Sequence, residues 1–194
     1  MTLKRPFSSL GLAAAVLSSL VACTDDSTRE SASYSTTTSA VIELGGPAEL
    51  ETVAATRGTS ALDTTAQRSA LTGPGVVTTT RAAFIEVVEQ QADGFEQSWS
   101  FERSPGSDGD LVIAVGMNGL EYVGTTSDGL SFRASSFSVN YGNGTWIDAG
   151  GVRSAVPATY SGGRILLTIP ASLVNQSPYP AVLDPQIIVT PLPL

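Results

Sequence analysis

Strict alternation of apolar and polar positions, rather than a helical repeat, marks the second half of the chain. In Phe95-Glu96-Gln97-Ser98-Trp99-Ser100-Phe101 the residues Phe95, Gln97, Trp99 and Phe101 share one face of an extended strand, because successive strand side chains point to opposite sides. Phe84-Ile85-Glu86-Val87-Val88 precedes this run, and Ala92-Asp93-Gly94 between the two supplies turn chemistry. The pair therefore predicts a hairpin. Further short apolar or alternating runs lie at residues 111–115, 120–123, 130–132, 137–141, 145–147 and 164–169, separated by turn signals such as Ser127-Asp128-Gly129, Asn143-Gly144 and Ser161-Gly162-Gly163. They predict roughly eight to ten strands. No amphipathic crossover helix separates them, so a parallel sheet is disfavoured. The expected fold is all-β, a single antiparallel β-sandwich or barrel-like domain. Residues 171–175, following Pro170, suit one helical turn.

Upstream the pattern dissolves. Residues 24–38 are rich in Ser and Thr, residues 41–50 hold a few apolar positions around Gly45-Gly46-Pro47, and residues 51–75 return to Ala, Thr, Ser and Gly without a sustained period. Such composition buries too little surface to offset chain entropy. The reading is a mostly disordered tether over 23–75, with a short helix at 48–55, followed by the folded domain at 76–194. A tether of about 50 residues extends well over 100 Å when stretched and reaches roughly 40 Å as a coil.

The N-terminus has the layout of a secretory signal over residues 1–22, with Lys4 and Arg5 ahead of an apolar core at residues 10–21. That core is about 12 residues long, short of the roughly 20 that span a bilayer. Leu20-Val21-Ala22-Cys23 at its end resembles the lipobox of bacterial lipoproteins. The resemblance implies that Cys23 becomes a diacylglyceryl thioether, that a peptidase cuts just before it, and that the new amino terminus is acylated. Several acyl chains, at about 0.8 kcal/mol per buried methylene, make release from a membrane very slow. In enterobacterial lipoproteins an aspartate after the cysteine favours the inner membrane. Thr24 stands there, followed by Asp25 and Asp26, so the outer membrane is the expected address.

Charge and composition narrow the chemistry. Losing Lys4 and Arg5 with the leader takes the basic residues from 10 to 8, against 18 acidic ones. A net negative surface repels phosphate polyanions, so nucleic acid is not an expected partner. Cys23 is the only cysteine and there is no histidine, which excludes disulfides, Ser-His-Asp and Cys-His nucleophile systems and histidine-held zinc or iron. No cofactor or metal is expected.

Carboxylates are the remaining candidates for chemistry. Asp93, Asp128 and Asp148 stand in predicted turns beside or near glycine, where aspartate supports the turn through its own backbone hydrogen bonds. Ser107-Asp108-Gly109-Asp110 offers two carboxylates in a loop, without the spacing and closing Glu of a calcium loop. Glu86, Glu89, Glu96 and Glu102 lie on the two arms of the first hairpin. A glycosidase would need two of them at a fixed separation in a cleft, whereas on a small sandwich they read as solvent-face charges. Trp99, Trp146, Tyr122, Tyr141 and Tyr160 read as core residues, or as a sugar-stacking platform if two or more rings lie coplanar and exposed.

The C-terminal half carries a further ordered set: Val139-Asn140-Tyr141, Trp146-Ile147-Asp148-Ala149-Gly150-Gly151, Tyr160-Ser161-Gly162-Gly163-Arg164-Ile165 and Tyr179-Pro180-Ala181-Val182-Leu183-Asp184-Pro185. This set resembles a β-rich module of large secreted bacterial proteins, particularly of myxobacteria, which precedes repeats and closes on an aromatic-Pro-x-x-(Ile/Leu)-Asp-Pro signature. The resemblance implies scaffolding or display rather than a reaction. Here the sequence reaches Leu194 soon after the signature, as in a free-standing module or a truncated relative. Tyr179, Pro180, Asp184 and Pro185 are thus structural signature residues. Two prolines predict that residues 179–184 form an edge-like or terminal strand, with Val182 opposite in direction to Ala181 and Leu183, and with Asp184 accepting backbone hydrogen bonds in a following turn. The functional expectation is a non-catalytic β-sandwich of the cell envelope, held to a membrane through Cys23 and serving a structural or interaction role with an envelope protein or glycan. The alternatives are a carbohydrate-binding module or small carboxylate-dependent glycan hydrolase, and an inhibitor-type binding protein.

Overall fold

Period-two patterning converts most of the chain into strands in the computed structural model, which describes residues 35–36, 41–45, 48–106 and 108–193. In chain order these are β1 (Ser35–Thr36), β2 (Val41–Gly45), β3 (Ala48–Arg57), β4 (Ser60–Ala61), β5 (Ala66–Gly73), β6 (Val76–Arg81), β7 (Ile85–Gln91) and β8 (Gly94–Phe101). There follow β9 (Leu111–Asn118), β10 (Glu121–Thr125), β11 (Gly129–Arg133), β12 (Phe137–Ile147), β13 (Arg153–Val156), β14 (Ala158–Ser161) and β15 (Arg164–Ile169). One short helix, α1 (Ala171–Gln176), precedes β16 (Ala181–Pro191).

These strands form two sheets. A seven-stranded sheet runs β1-β2-β3-β9-β15-β14, with β4 on β3. A nine-stranded sheet runs β10-β11-β12-β16-β8-β7-β6-β5, with β13 on β12. All pairings are antiparallel. The sheets pack face to face without closing into a barrel, which is the sandwich the alternation predicts.

The predicted hairpin is β7 and β8, joined through the two residues Ala92 and Asp93 between the paired Gln91 and Gly94. Phe95, Gln97, Trp99 and Phe101 all face inward and are buried. They meet Tyr141 and Trp146 of β12 and Leu183 and Ile187 of β16 in their own sheet, and Leu50, Ile113 and Ile165 from the other. Burying such a side chain stabilises the fold by about 1.5–3 kcal/mol each, so this double layer dominates the energetics. The tight turn between β14 and β15 uses Gly162 and Gly163, both at positive φ (58° and 76°), the conformation a two-residue hairpin requires.

Several expectations need correction. The strands begin far upstream of residue 76: β2, β3 and β5 lie in the segment read as tether, and residues 48–55 are strand rather than helix. The alternation in β3 is masked because a bulge between Thr52 and Ala54 reverses its phase. β5 is masked because it is an exposed edge strand with little to bury. Residues 1–34 and 37–40, including the predicted leader, Cys23 and most of the Ser/Thr-rich stretch, lie outside the described residues.

Residues 137–141 and 145–147 are one strand, not two. β12 runs through Asn143-Gly144 without a turn: Gly142 and Asn143 form a bulge opposite β16, and Gly144 resumes the pairing. β16 is likewise no edge: it lies between β12 and β8. The bulge explains how proline sits there. Pro185 faces Gly144 at the register shift on one side, and on the other the ladder with β8 skips from Leu183 to Gln186, so its missing N–H breaks no regular bond. Ala181 and Leu183 are buried while Val182 points outward, as the alternation requires.

Candidate functional site

The signature residues are not brought together. Tyr179 stands beside α1, where its hydroxyl donates to the Val174 carbonyl oxygen at 2.9 Å and its ring meets Trp146 edge-on at 6.5 Å. Trp146 in turn donates through Nε1 to Ser177 Oγ at 2.8 Å, and Ser177 Oγ donates to the Leu173 carbonyl at 2.8 Å. Burial pushes the Tyr179 phenol up, opposed by a hydrogen bond with Ser104 and the nearby positive charge of Arg57. Arg57 is itself fully buried and donates to Asn175 Oδ1 on α1. Tyr179 therefore pins the α1 loop over one part of the core. Pro180 is exposed and Pro185 buried. Asp184 departs from expectation, because no turn follows it: it sits within β16 and faces outward.

Two groups of polar side chains stand out. The first is sealed between the sheets. Glu86, on the same phase of β7 as Val88, points inward and is 1% exposed, so its reading as a solvent-face charge is corrected. Arg81 of β6 donates to Glu86 Oε2 through Nε at 3.0 Å and Nη2 at 2.7 Å, and also donates to the Thr64 carbonyl. Glu86 Oε1 accepts from Gln97 Nε2 at 2.8 Å and from Thr52 Oγ1 at 2.6 Å. Trp99 Nε1 donates to Thr52 Oγ1 at 3.0 Å, and the Tyr141 hydroxyl donates to Gln97 Oε1 at 3.3 Å. Burial, with the Glu86 charge adding to it, drives the Tyr141 phenol well above its ordinary value. Thr52 comes from the seven-stranded sheet and the others from the nine-stranded sheet, so the network ties the layers together. A buried ion pair with its lone pairs and donors occupied favours one register over others.

The second group lies on the outer face of the nine-stranded sheet. Register places Glu89 of β7 directly opposite Glu96 of β8, while on β16 Gln186 stands opposite Glu96 and Asp184, two residues along on the same face, is its diagonal neighbour. Glu96 is held above the ordinary carboxylate range by partial burial first, then by the charges of Asp184 and Glu89 and by its hydrogen bond to Asp184. Asp184 is also raised by burial, against the opposing effects of Arg153 and of the hydrogen bond with Glu96. Both carboxyls are thus held above the ordinary range, burial being the first cause for each. The two acids are in contact on an open face.

The other candidates take structural positions. Asp148 Oδ1 accepts from the backbone amides of Gly150 at 2.8 Å and Val152 at 3.0 Å, the turn role the sequence assigns it. Asp128 accepts from Asn143 N through its carbonyl, and Asp93 likewise from Val189 N. Asp110 Oδ1 accepts from Ala171 N at 2.8 Å, so this loop carboxylate ties down the start of α1. Among the described residues no three Asp, Glu or Cys side chains gather as a metal cluster would. Trp99, Trp146 and Tyr141 are fully buried. Tyr122 and Tyr160 are half-buried and stack on each other with centroids 4.2 Å apart, so their faces cover one another across strands of opposite sheets. That arrangement is no platform for a sugar ring.

Sequence reasoning missed the network, although half of its signal was present. Glu86 shares its phase with Phe84 and Val88, and Gln97 with Phe95 and Trp99. Comparison with protein-family models, with curated proteins and with solved structures returns no match.

Proposed function

We propose that this protein is a lipid-anchored component of the bacterial cell envelope, addressed to the outer membrane, whose β-sandwich serves as a non-catalytic structural or interaction module. The observation that carries this reading is Leu20-Val21-Ala22-Cys23 at the end of a short apolar segment that follows Lys4 and Arg5, with Thr24 next. The disposition of the acids supports interaction over hydrolysis. Glycosidase carboxyls stand at least about 5 Å apart across a cleft. Glu96 and Asp184 hydrogen-bond to each other on an exposed sheet face, and Glu86 is engaged by three neighbouring side chains in the interior. The surplus of acidic residues disfavours nucleic acid as partner and leaves an envelope protein or glycan. Cys23 and Val41 are 18 positions apart, so at roughly 3.5 Å per residue the first long strand stands no more than about 60 Å along the chain from the anchor. The sandwich is held closer to the membrane than a tether reaching residue 75 would hold it.

Membrane fractionation with intact-mass analysis of the native protein, beside a Cys23→Ala variant, tests the reading. The expected result is native protein in the outer-membrane fraction, beginning at an acylated Cys23, and variant protein absent from that fraction. Native protein that is soluble and unacylated would overturn the anchor.

A further inference from the structure

Asparagine precedes glycine twice in the chain, at Asn118-Gly119 and at Asn143-Gly144. The pair has a chemistry of its own, because glycine lacks the Cβ that would shield its amide nitrogen from the side chain before it. The glycine nitrogen attacks asparagine Cγ, the Cγ–Nδ2 bond breaks, and a cyclic imide forms. The side-chain nitrogen leaves as ammonia, taking up through solvent the proton that the glycine amide gives up. Water then opens the ring at either carbonyl, which yields aspartate or isoaspartate. Both asparagines are exposed, so exposure does not separate them. The difference lies in what must open before the ring can close, since closure takes the asparagine ψ out of the extended range of a strand.

Asn143 lies within β12, between paired residues on both sides: Gly142 pairs with Gly129 of β11, and Gly144 with Val156 of β13 and Pro185 of β16. Its own amide donates to the Asp128 carbonyl at 2.9 Å. Its side chain accepts from Ala158 N at 2.9 Å and donates to the Ser127 carbonyl at 3.2 Å. Turning this residue means breaking into the nine-stranded sheet. Asn118 is the last residue of β9, and the ladder with β15 has already stopped at Gly116. What remains is the terminal pair with Glu49 of β3 and a long 3.4 Å bond from Asn118 Nδ2 to Glu49 Oε2. Gly119 stands outside the strands at φ 67°, and among the described residues no backbone bond engages its amide. A strand end opens at far lower cost than a strand middle. We propose that Asn118 is a site of spontaneous deamidation in the folded protein and that the fold protects Asn143. The product sets a carboxylate directly opposite Glu49 where a donor stood, and facing like charges loosen this end of the β3–β9 ladder. The inference concerns the sandwich and is independent of the anchor, which fractionation decides separately.

The test is to age the full chain, solubilised in detergent, in mildly alkaline buffer, folded and in parallel in urea, and to follow tryptic peptides by mass. Trypsin cuts after Arg103, Arg133 and Arg153, so residues 104–133 carry Asn118 as their sole side-chain amide, and residues 134–153 carry Asn143 together with Asn140. Fragmentation of the second peptide assigns the change to Asn140 or Asn143. The expected result in the folded protein is conversion of Asn118 to the acid at least about tenfold faster than Asn143, with the two rates converging in urea. A smaller ratio in the folded protein would overturn the proposal, as would an Asn118 that converts only in urea. A difference that persists undiminished in urea would overturn it as well, since it would belong to the local sequence and not to the fold.

Discussion

Glu86 accepts hydrogen bonds from Arg81, Gln97 and Thr52, and the last of these reaches across the sandwich from a residue 34 positions away. Exchanging its carboxylate for an amide keeps the volume but leaves the Arg81 guanidinium buried beside a neutral group that also presents donors toward donors. Glu86→Gln should therefore cost about 3 kcal/mol or more, read as a lowered urea midpoint, while Thr52→Val, which removes a neutral hydroxyl, should cost nearer 1–2 kcal/mol. Equal, small effects would mean that the ion pair is replaceable by packing. At this scale the sequence is half legible. The phase of Glu86 with Phe84 and Val88 marks it as inward-facing, but its partners come from strands whose pairing no local pattern reveals. Arg81 and Thr52 could be joined to it only once the register of β3, β6 and β7 was known.

Between elements, the contact of β8 with β16 brings Glu96 and Asp184 together with Glu89 nearby, and this has a pH signature. Both carboxyls are raised in the folded protein, so the folded state holds protons that the unfolded chain has already released. Stability from this pair is fully present below the unfolded carboxylate value of about 4 and is lost as pH rises through the raised folded values. Asp184→Asn should flatten that decline, checked by urea unfolding between acid and neutral pH. A profile that keeps its slope would show that the pair does not govern it. Element boundaries were legible where alternation is uninterrupted, as in β8 and β15, and were misread where a bulge intervenes. Asn143-Gly144 carries turn chemistry, yet in β12 Asn143 belongs to a bulge and Gly144 is the residue that pairs with Pro185 on the neighbouring strand. The same dipeptide supports either outcome, and only the partner strand decides between them.

For the whole molecule, the all-β sandwich was readable from short alternating strands and glycine turns, whereas its N-terminal extent was not. β3 supplies Leu50 and Thr52 to the interior and pairs along β9 from Glu49 to Arg57. A fragment of residues 76–194 would expose that edge of β9 and open the core, so it should fail to give dispersed amide resonances, while residues 35–194 should give them. A folded 76–194 fragment would restore the shorter boundary. Composition hid this because β3 is built from Ala, Glu and Thr around few large apolar residues, and because β5 contributes hydrogen bonds to a sheet edge rather than bulk to the core.

The placement of β16 between β8 and β12 also sets an order of events. A chain delivered N-terminus first presents β8 and β12 long before residues 181–191 arrive to stand between them. Until then each lacks its neighbour on that side, and the nine-stranded sheet cannot lock. Under the proposed export, late insertion of a middle strand would act as a timer: the polypeptide would stay loose enough to be threaded through a membrane and would acquire its final rigidity only after nearly all of it had reached the far side.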